Sequence, residues 1–345
     1  MTRTETQIGI GVIGTGRAGM IHARNFASGV VSGAKVVAIA EPMEAARVAA
    51  AQELGVDADC VYADYRALLD NPRVNAVVVV TPTKFHREIV VAAAAAGKHI
   101  LCEKPMAMNV AECDARLEAV RAANVKLQIG FMRRFDMGFQ AAKQRIENGE
   151  IGRVVQVKSL THGPTTPKPW MYDLQQSNGP LAEVNSHDID AIRWLSGGEF
   201  QEVYAIAGNY RSPDAVREYP DFYDNVLLTA RMSNGMQSMI GGAQGVKYGY
   251  DSRCEILGEH GLITVGSLSG NTVVSYLPNG AEHDIVHSWM NLFIDAYRAE
   301  DIDFVRCIRE DDTPRATGVD GRAAVMVVNA GNLSIVDRRP VVLSR

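Results

Sequence analysis

The pattern of hydrophobic and polar positions changes once along the chain, soon after Gly149. Up to Phe131, short β-branched runs are separated by longer segments with the period of an amphipathic helix, which is typical of parallel β-α-β units. The short runs are apolar on both faces, which indicates strands covered by helices on each side. Six strands are predicted, at IGIGVIG, AKVVAIA, CVY, NAVVVV, KHILC and VKLQIGF.

Punctuating residues mark the ends of the predicted helices in this first part. The segments EAARVAAAQELG and KFHREIVVAAAAAGK reach Gly55 and Gly97, which suit the left-handed position that follows a helix. Asn109 and Glu112 have the spacing of a capping box, with Asn in place of Ser or Thr. We therefore expect a helix over residues 110–122.

Beyond Gly149, strand-like runs follow one another with few helices between them, which predicts a mostly antiparallel sheet. Helices are expected near 188–196, 287–309 and 319–335. The segment THGPTTPKPWMYDLQQSNGP is long and rich in proline and polar residues, and is a candidate lid. The predicted strands are RVVQVKSL, FQEVYAIAG, NVLLTARM, MQSMIGGAQ, SRCEILGE and GLITVG.

The length of 345 residues exceeds what one hydrophobic core usually serves, so two domains are expected. We predict an α/β protein with a doubly wound parallel sheet in residues 1–131. Residues 132–345 are predicted to form an α+β domain with a large, open, mostly antiparallel sheet.

Composition and charge favour small-molecule chemistry. Hydrophobic residues make up 47% and charged residues 22%, and the net charge of −5 gives no basic surface for nucleic acid or anionic lipid. The five cysteines are scattered without a C-x-x-C pair, so neither a disulfide framework nor a zinc site is indicated. The longest apolar stretch, 76–80, is too short to cross a bilayer, and MTRTETQ lacks a signal core. A cytoplasmic protein is expected.

The segment GVIGTGRAGMIHA carries Gly14, Gly16 and Gly19 in G-x-G-x-x-G spacing. The spacing alone is weak, but here it follows a strand and opens a helix, so the backbone can approach a pyrophosphate at the positive helix end. Glu41 stands at the end of the second strand, where a carboxylate accepts hydrogen bonds from a ribose 2′-hydroxyl and repels a 2′-phosphate. This favours NAD over NADP, although a solvent-facing Glu41 is the alternative.

Two further strands end in residues that can reach the cofactor, because ligands bind at the carboxyl edge of such sheets. TPTKFH ends the fourth strand, and CEKP places Glu103 and Lys104 at the end of the fifth, where a cis Lys104–Pro105 bond is conceivable. His86 has an equally weighted alternative as a water-facing helix residue. The candidate cofactor-binding residues are Gly14, Gly16, Arg17, Ala18, Gly19, Glu41, Thr81, Pro82, His86, Glu103 and Lys104.

The segment NSHDIDAIRW contains a second candidate catalytic residue, besides Lys104. His187 precedes an apolar helix, and Glu183 lies four residues before it. A histidine is the usual proton acceptor when an alcohol becomes a ketone. A packing or capping role is the alternative, and from spacing alone it is the more common one.

These strings resemble the glucose-fructose oxidoreductase, inositol dehydrogenase and MocA-like oxidoreductases, and among them most closely the inositol 2-dehydrogenases. The likeness is carried by GVIGTGRAGMIHA, TPTKFH, CEKPMAMN, GFMRRFD, NSHDID and YGYDSRCEILGEHG, with DGRAAVMVVNAG near the end. The resemblance implies NAD as cofactor, a cyclic polyol or sugar as substrate, and a homotetramer formed through the open sheet. It implies catalytic roles for Lys104 and His187, and substrate contacts for Arg133, His162 and Tyr250. Glu183 departs from the aspartate usual in inositol dehydrogenases.

The resulting hypothesis is NAD-dependent oxidation of a ring hydroxyl without a metal. His187 takes the hydroxyl proton, Lys104 steadies the charge on the same oxygen, and Glu183 orients the imidazole. The roles of His187 and Lys104 are exchangeable. A cationic nicotinamide near Lys104 lowers the pKa of its amine, and the neutral amine can accept the hydroxyl proton. The alternatives are a pyranoside dehydrogenase that forms 3-keto products, an aminocyclitol dehydrogenase, and a regulatory protein that binds nucleotide and sugar without turnover.

Overall fold

The computed structural model describes residues 7–343, which form two compact units. The first comprises residues 7–135 together with Asp295–Arg322. The second comprises Asp136–Ile294 and residues 323–343. The sequence-based division at 131/132 assigned all of the C-terminal part to one domain, whereas a late segment belongs to the first unit.

The first unit is built on a six-stranded parallel sheet in the order β3-β2-β1-β4-β5-β6, the doubly wound arrangement expected from the sequence. Every residue of β1 and β4 is buried, in keeping with helices on both faces. All six predicted strands are confirmed. They are β1 (Ile8–Ile13), β2 (Ala34–Ala40), β3 (Val61–Tyr62), β4 (Ala76–Val79), β5 (His99–Cys102) and β6 (Leu127–Ile129).

The helices of this unit begin and end close to the predicted positions. Gly55 and Gly97 adopt the left-handed conformation, with φ of 64° and 68°. The Asn109 side chain accepts the Glu112 N–H at 2.9 Å and caps the following helix, while Glu112 reaches back to the Met108 N–H. The helices before the second unit are α1 (Arg17–Ala27), α2 (Glu44–Leu54), α3 (Tyr65–Leu69), α4 (Thr83–Ala95) and α5 (Val110–Ala123).

Two later helices contribute to the first unit, and burial explains why. They are α12 (Ile294–Glu310) and the start of α13 (Gly318–Asp337). Phe304 and Val305 of α12 belong to the hydrophobic cluster that contains Ile10 of β1 and Ile39 of β2. Burying such apolar side chains stabilises the fold by about 1.5–3 kcal/mol each. Segment order along the chain does not reveal this packing.

The second unit contains a seven-stranded sheet in the order β12-β11-β7-β10-β9-β8-β15. Among the described strands of this sheet, only β7 and β10 pair in parallel, so the prediction of a mostly antiparallel sheet is confirmed. The strands are β7 (Val154–Gly163), β8 (Phe200–Gly208), β9 (Asn225–Met232), β10 (Gln237–Gln244), β11 (Asp251–Gly258), β12 (Leu262–Val265) and β15 (Val341–Val342).

Side chains on this sheet alternate between a covered face and an open face. In β9, Val226 and Leu228 are buried, whereas Leu227 between them is 49% exposed. On the covered side, Gly331 of α13 approaches Leu228 so closely that a Cβ on the glycine would lie 3.0 Å from the leucine. The opposite side of the sheet carries the exposed Tyr204 and Ile206.

Short helices and a hairpin complete the second unit. The predicted lid segment, 161–180, begins in the last residues of β7, contains two short helices and ends at the start of a third. An exposed hairpin, β13 and β14, was not predicted because its pattern marks no buried face. No helix in residues 7–343 is long and apolar enough to span a membrane. The remaining elements are α6 (Met137–Glu147), α7 (Pro169–Tyr172), α8 (Leu174–Ser177), α9 (Gly179–Glu183), α10 (Ser186–Ser196), β13 (Ser269–Leu277), β14 (Gly280–Ile285) and α11 (Trp289–Leu292).

Candidate functional site

The three glycines between β1 and α1 each meet a different steric requirement. Gly14 has a φ of 94°, and a Cβ there would lie 2.5 Å from the Val80 carbonyl oxygen. A Cβ at Gly19 would lie 2.0 Å from the Gly14 oxygen, so the helix can approach the strand only without a side chain. At Gly16 nothing lies within 4 Å of that position. The turn is tight at its first and third glycines and open at the second, where a pyrophosphate approaches in such motifs.

The N-terminus of α1 faces the same opening. Gly16 is its N-cap and makes no side-chain capping bond, and the first turn contains no acidic residue. The free N–H groups and the helix dipole therefore favour an anion at this end. Arg17 is exposed and Ala18 is half-buried, so both predicted cofactor residues line the open end of the helix.

Glu41 lies at the end of β2 and is tied to the glycine turn. Its Oε2 accepts the Thr15 N–H at 3.0 Å and the Thr15 hydroxyl at 3.2 Å, and its Oε1 accepts the Met43 N–H at 3.0 Å. The carboxylate is thereby held beside the turn instead of pointing freely into solvent. Its backbone oxygen accepts a bond of 2.7 Å from Arg47.

The end of β4 contributes Thr81, Pro82 and His86. Thr81 Oγ1 is buried and makes no hydrogen bond with any residue in 7–343, so a donor or acceptor of a bound molecule can use it. His86 is buried, and the water-facing alternative is wrong. Its ring nitrogens lie 2.7 Å from the Thr81 oxygen and 2.9 Å from the Pro105 oxygen. Burial, assisted by Arg116, lowers the pKa of His86 to about 4, so the ring is neutral at pH 7.

Glu103 and Lys104 follow β5 at the same edge of the sheet as the glycine turn. The Glu103 N–H donates to the Val79 oxygen at 2.9 Å, which continues the ladder beyond the end of the strand. Its Oε2 accepts the Lys104 N–H at 3.0 Å. The Lys104–Pro105 peptide bond is cis. Lys104 is half-buried, and Arg133, in the 3₁₀ turn Met132–Phe135 after β6, is fully buried.

In the second unit, Glu183 is the last residue of α9 and His187 lies in the first turn of α10. Val184 and Asn185 between them keep right-handed backbone angles, so the two side chains stay about one helical turn apart. His187 is buried, and Glu183 is half-buried.

Asp188 fixes the start of α10 to the sheet. Its carboxylate is fully buried and accepts bonds from Ser159 Oγ at 2.5 Å, Thr161 Oγ1 at 2.7 Å and Asn185 Nδ2 at 2.8 Å. A buried carboxylate with three donors is a strong anchor, because leaving any of these groups unpaired is costly. The anchor determines where the neighbouring His187 lies.

His162 lies on the opposite face of the sheet from Thr161, as strand alternation requires. Its Nδ1 donates to the Tyr248 oxygen at 2.5 Å, and the Tyr248 hydroxyl donates to Asp251 at 3.0 Å. Burial lowers the pKa of His162, and burial together with Asp251 raises the pKa of Tyr248 to about 12. Tyr250, the predicted substrate contact, is buried with its ring edge-on to Phe293. The contacts to substrate at these positions stay predictions.

The structure therefore brings the predicted cofactor residues of β1, β2, β4 and β5 to one sheet edge, as expected for a doubly wound fold. Within the second unit, it groups Glu183 with His187 and places His162 on the other face. Sequence reasoning missed four buried or hydrogen-bonded residues next to the candidates. They are His22, Asp188, Tyr248 and Asp301. The string YGY offered two tyrosines, and GMIHA contained His22, but neither string showed which side chain makes the contact.

Comparison with known proteins agrees with this geometry. Residues 8–131 match an oxidoreductase family with an NAD-binding Rossmann fold, and residues 139–264 match the GFO/IDH/MocA C-terminal domain. The chain belongs to this family of oxidoreductases and has an NAD-binding domain. The open space at Gly16 and the unpaired Thr81 Oγ1 fit such a cofactor.

Individual relatives cover nearly the whole chain. The scyllo-inositol 2-dehydrogenase (NAD⁺) of Bacillus subtilis is 32% identical, over 98% of this chain and 97% of its own. The myo-inositol 2-dehydrogenase of Thermotoga maritima is also 32% identical, over 97% and 98%. The crystal structure of myo-inositol dehydrogenase from Lactobacillus casei with NAD(H) and myo-inositol has a TM-score of 0.87 and 27% identity, over 98% and 97%.

Proposed function

We propose that the protein oxidises a ring hydroxyl of a cyclitol or sugar to a ketone in an NAD-dependent reaction, as an inositol 2-dehydrogenase does. The observation that carries the proposal is the position of Lys104 at the carboxyl end of β5, on the sheet edge that also holds the glycine turn. The relatives named as inositol 2-dehydrogenases, and the one bound to myo-inositol, support the substrate class.

In this proposal, the chain's own residues handle the proton and the charge. His187 accepts the hydroxyl proton, Lys104 donates a hydrogen bond to the same oxygen, and Glu183 holds the imidazole in the required tautomer. Bound NAD⁺ supplies the acceptor for the hydride. Arg133 and Tyr250 are proposed to bind further hydroxyls of the substrate. His162 is not included in this proposal, because its side chain lies on the sheet face opposite Thr161, which bonds to Asp188 beside His187.

The cofactor would be held by the sheet edge of the first unit. The glycine turn and the N-terminus of α1 receive the pyrophosphate, Glu41 receives the ribose hydroxyls, and Thr81 with Pro82 lies alongside. We assign His86 a supporting position, because both its ring nitrogens face backbone oxygens of Thr81 and Pro105.

The test is a panel of cyclitols, pyranosides and aminocyclitols, each mixed with the protein and either NAD⁺ or NADP⁺, while the absorbance of reduced nicotinamide is followed. We expect turnover of at least one inositol with NAD⁺. Turnover restricted to glucosides would favour the 3-keto-forming alternative. NAD⁺ binding without turnover of any compound would contradict the enzyme proposal and support a regulatory protein.

We also propose that the protein works in the cytoplasm. The five cysteines are buried thiols with no disulfide among them, which suits a reducing compartment. Fractionation of the source cells, with the protein detected by antibody, tests this placement. Recovery with an extracytoplasmic fraction would contradict it.

A further inference from the structure

A buried cluster of ionisable side chains lies next to Lys104 within the first unit. His22 comes from α1, Glu103 from the end of β5, and Glu300 and Asp301 from α12. The exposed fractions are 6% for Glu103 and 0% for the other three. Ionisable groups are buried so completely only when they are paired or when they have a function, because removing a charge from water is costly.

His22 occupies the centre of the cluster with a carboxylate on each side of its ring. Nδ1 lies 2.6 Å from Asp301 Oδ1, and Nε2 lies 3.3 Å from Glu103 Oε1. Asn25 donates to the other Asp301 oxygen at 2.8 Å and so holds that carboxylate in place. An ionised carboxylate only accepts hydrogen bonds, so the ring can serve both neighbours only if both of its nitrogens carry protons.

The charges in the cluster favour this protonated ring. Burial by itself lowers the pKa of His22, but Asp301 and Glu103 outweigh burial and raise it well above its usual value. The nearby Glu300 favours its uncharged form, because burial raises its pKa well above the usual range. Burial also raises the pKa of Asp301, while the contacts with His22 and Asn25 act against that rise. The cluster therefore places a ring that favours its protonated form between Asp301 and Glu103, beside an acid that favours its neutral form.

The Glu103 carboxylate connects this cluster to Lys104. One of its oxygens faces His22, and the other accepts the Lys104 N–H at 3.0 Å. Gly130 packs against the carboxyl group, and a Cβ there would lie 2.9 Å from Glu103 Cδ. The carboxylate is thus held from three sides. Replacement of His22 removes the contact to Glu103 Oε1. The Glu103 carboxylate is then held less firmly, and so is the backbone of Lys104, whose N–H it accepts.

We propose that His22 is a positioning residue, which acts through the Glu103 carboxylate to hold Lys104 where it contacts the reacting oxygen. This inference rests on the proposed function, in which Lys104 bonds to that oxygen. His22 itself touches neither substrate nor cofactor in the proposal. Misplacement of a reacting group by about 1 Å can lower a rate by about a hundredfold, so a support of this kind is consequential.

The first test compares the kinetics of the full-length His22→Asn variant with those of the unmodified protein. We expect kcat to fall by about ten- to a hundredfold, because Lys104 shifts relative to the reacting oxygen. We expect the Kd for NAD⁺, measured by calorimetry, to change less than about twofold, because the hydrogen bonds of the His22 ring go to Asp301 and Glu103 and Glu41 is held by Thr15 and Met43. The matched control is Phe26→Leu, a buried change on the same helix outside the cluster, with kcat within about twofold of normal.

A double-mutant cycle separates positioning from general loss of stability. If His22 acts through Glu103, then His22→Asn has no further effect on kcat in a Glu103→Gln background. Independent structural roles would make the two losses multiply. If His22→Asn does not fold, Asp301→Asn replaces it, because this nearly isosteric change removes the charge that keeps the His22 ring protonated. We expect kcat to fall in that variant as well.

The outcomes distinguish this inference from the proposed function. If Lys104→Ala turns over normally, the assigned role of Lys104 fails and the positioning role with it. If Lys104→Ala is inactive while both His22→Asn and Asp301→Asn retain normal kcat, only the positioning role is overturned.

Donor atoms of His22, Glu103 and Glu300 lie within 4.8 Å of one another. Activity that is lost with a chelator and restored by Zn²⁺ would therefore also overturn it, by making the group a metal site.

Discussion

At the scale of single residues, the two residues proposed as the main catalytic groups each stand beside a buried carboxylate. Lys104 follows Glu103, whose oxygens face His22 and the Lys104 N–H. His187 precedes Asp188, which accepts three hydrogen bonds. The flanking carboxylates fix the backbone, so each candidate side chain starts from a defined position. In the string CEKP, Glu103 thus has a structural role, and Lys104 has the proposed catalytic role.

Replacement of Lys104 tests its role directly. We expect Lys104→Ala to lower kcat by at least about a hundredfold, the low end of what one general acid–base or charge-stabilising group contributes. NAD⁺ affinity should be preserved, because the glycine turn and Glu41 are intact. Steady-state kinetics with the best substrate of the panel, and calorimetry with NAD⁺, measure the two quantities. Near-normal turnover would exclude Lys104 from the reaction.

Replacement of Glu41 tests the choice of cofactor. The Glu41→Ala variant loses the carboxylate that repels a 2′-phosphate, so the ratio of kcat/KM for NAD⁺ over NADP⁺ should fall by at least about tenfold, or 1.4 kcal/mol. Glu44→Ala is a suitable control, because Glu44 is an exposed neighbour in the first turn of α2. An unchanged ratio in the Glu41 variant would remove this residue from the ribose site.

The residues that the sequence did not reveal share one property, which is a role set by tertiary contact. His22 and Asp301 are 279 positions apart, and no local pattern connects them. By contrast, Gly14, Gly16 and Gly19 fall in one short string between a predicted strand and a predicted helix, so local context was sufficient to predict a cofactor role for them. Local requirements are readable from a single sequence, whereas long-range pairing is not.

At the scale of elements, the parallel sheet was predictable because most of its strands are short, largely apolar runs bounded by turn residues. The short helices α7 to α9 were missed because helices of four or five residues show too little periodicity. The hairpin β13–β14 was missed because its first strand is exposed throughout. The contribution of α12 to the first unit depends on which core Phe304 enters, and hydrophobic periodicity does not specify that.

The anchoring of α10 gives a prediction at this scale. In Asp188→Ala, the donors of Ser159, Thr161 and Asn185 lose their buried acceptor, so the free energy of unfolding should fall by about 3 kcal/mol. kcat should fall too, because the turn that carries His187 loses its tie to β7. Denaturant unfolding and steady-state kinetics measure these effects.

Thr161→Val provides the comparison for that experiment. It removes one donor to the Asp188 carboxylate and leaves those of Ser159 and Asn185 in place, so it should cost only about 1 kcal/mol. Equal unfolding free energies for Asp188→Ala and the unmodified protein would show that the carboxylate does not anchor the helix.

At the scale of the whole molecule, the open face of the second unit's sheet bears on assembly. Ile206 of β8 pairs with Leu227 of β9, and they are 53% and 49% exposed. Leu227 is in register with Gly241 of β10, which pairs with Leu160 of β7, so an apolar row crosses four strands. Ile206 and Leu227 are the exposed members of this row, whereas Leu160 is half-buried and Gly241 is buried. Adjacent exposed apolar side chains on a sheet face are typical of a protein–protein interface. We propose that this face mediates formation of a homotetramer.

A charged residue in this row tests the proposal. Ile206→Glu places a carboxylate where a neighbouring copy would bury it, so light scattering after gel filtration should show a smaller species than the unmodified protein. For the unmodified protein, we expect the mass of four chains of 37.5 kDa each. Val48→Glu is the control, because Val48 is comparably exposed on α2 and lies off the sheet. The unmodified protein eluting with the mass of one chain would refute assembly, and an Ile206→Glu variant that keeps the full mass would place the interface elsewhere. Because burying an unpaired charge costs several kcal/mol, even one such substitution should shift the equilibrium measurably.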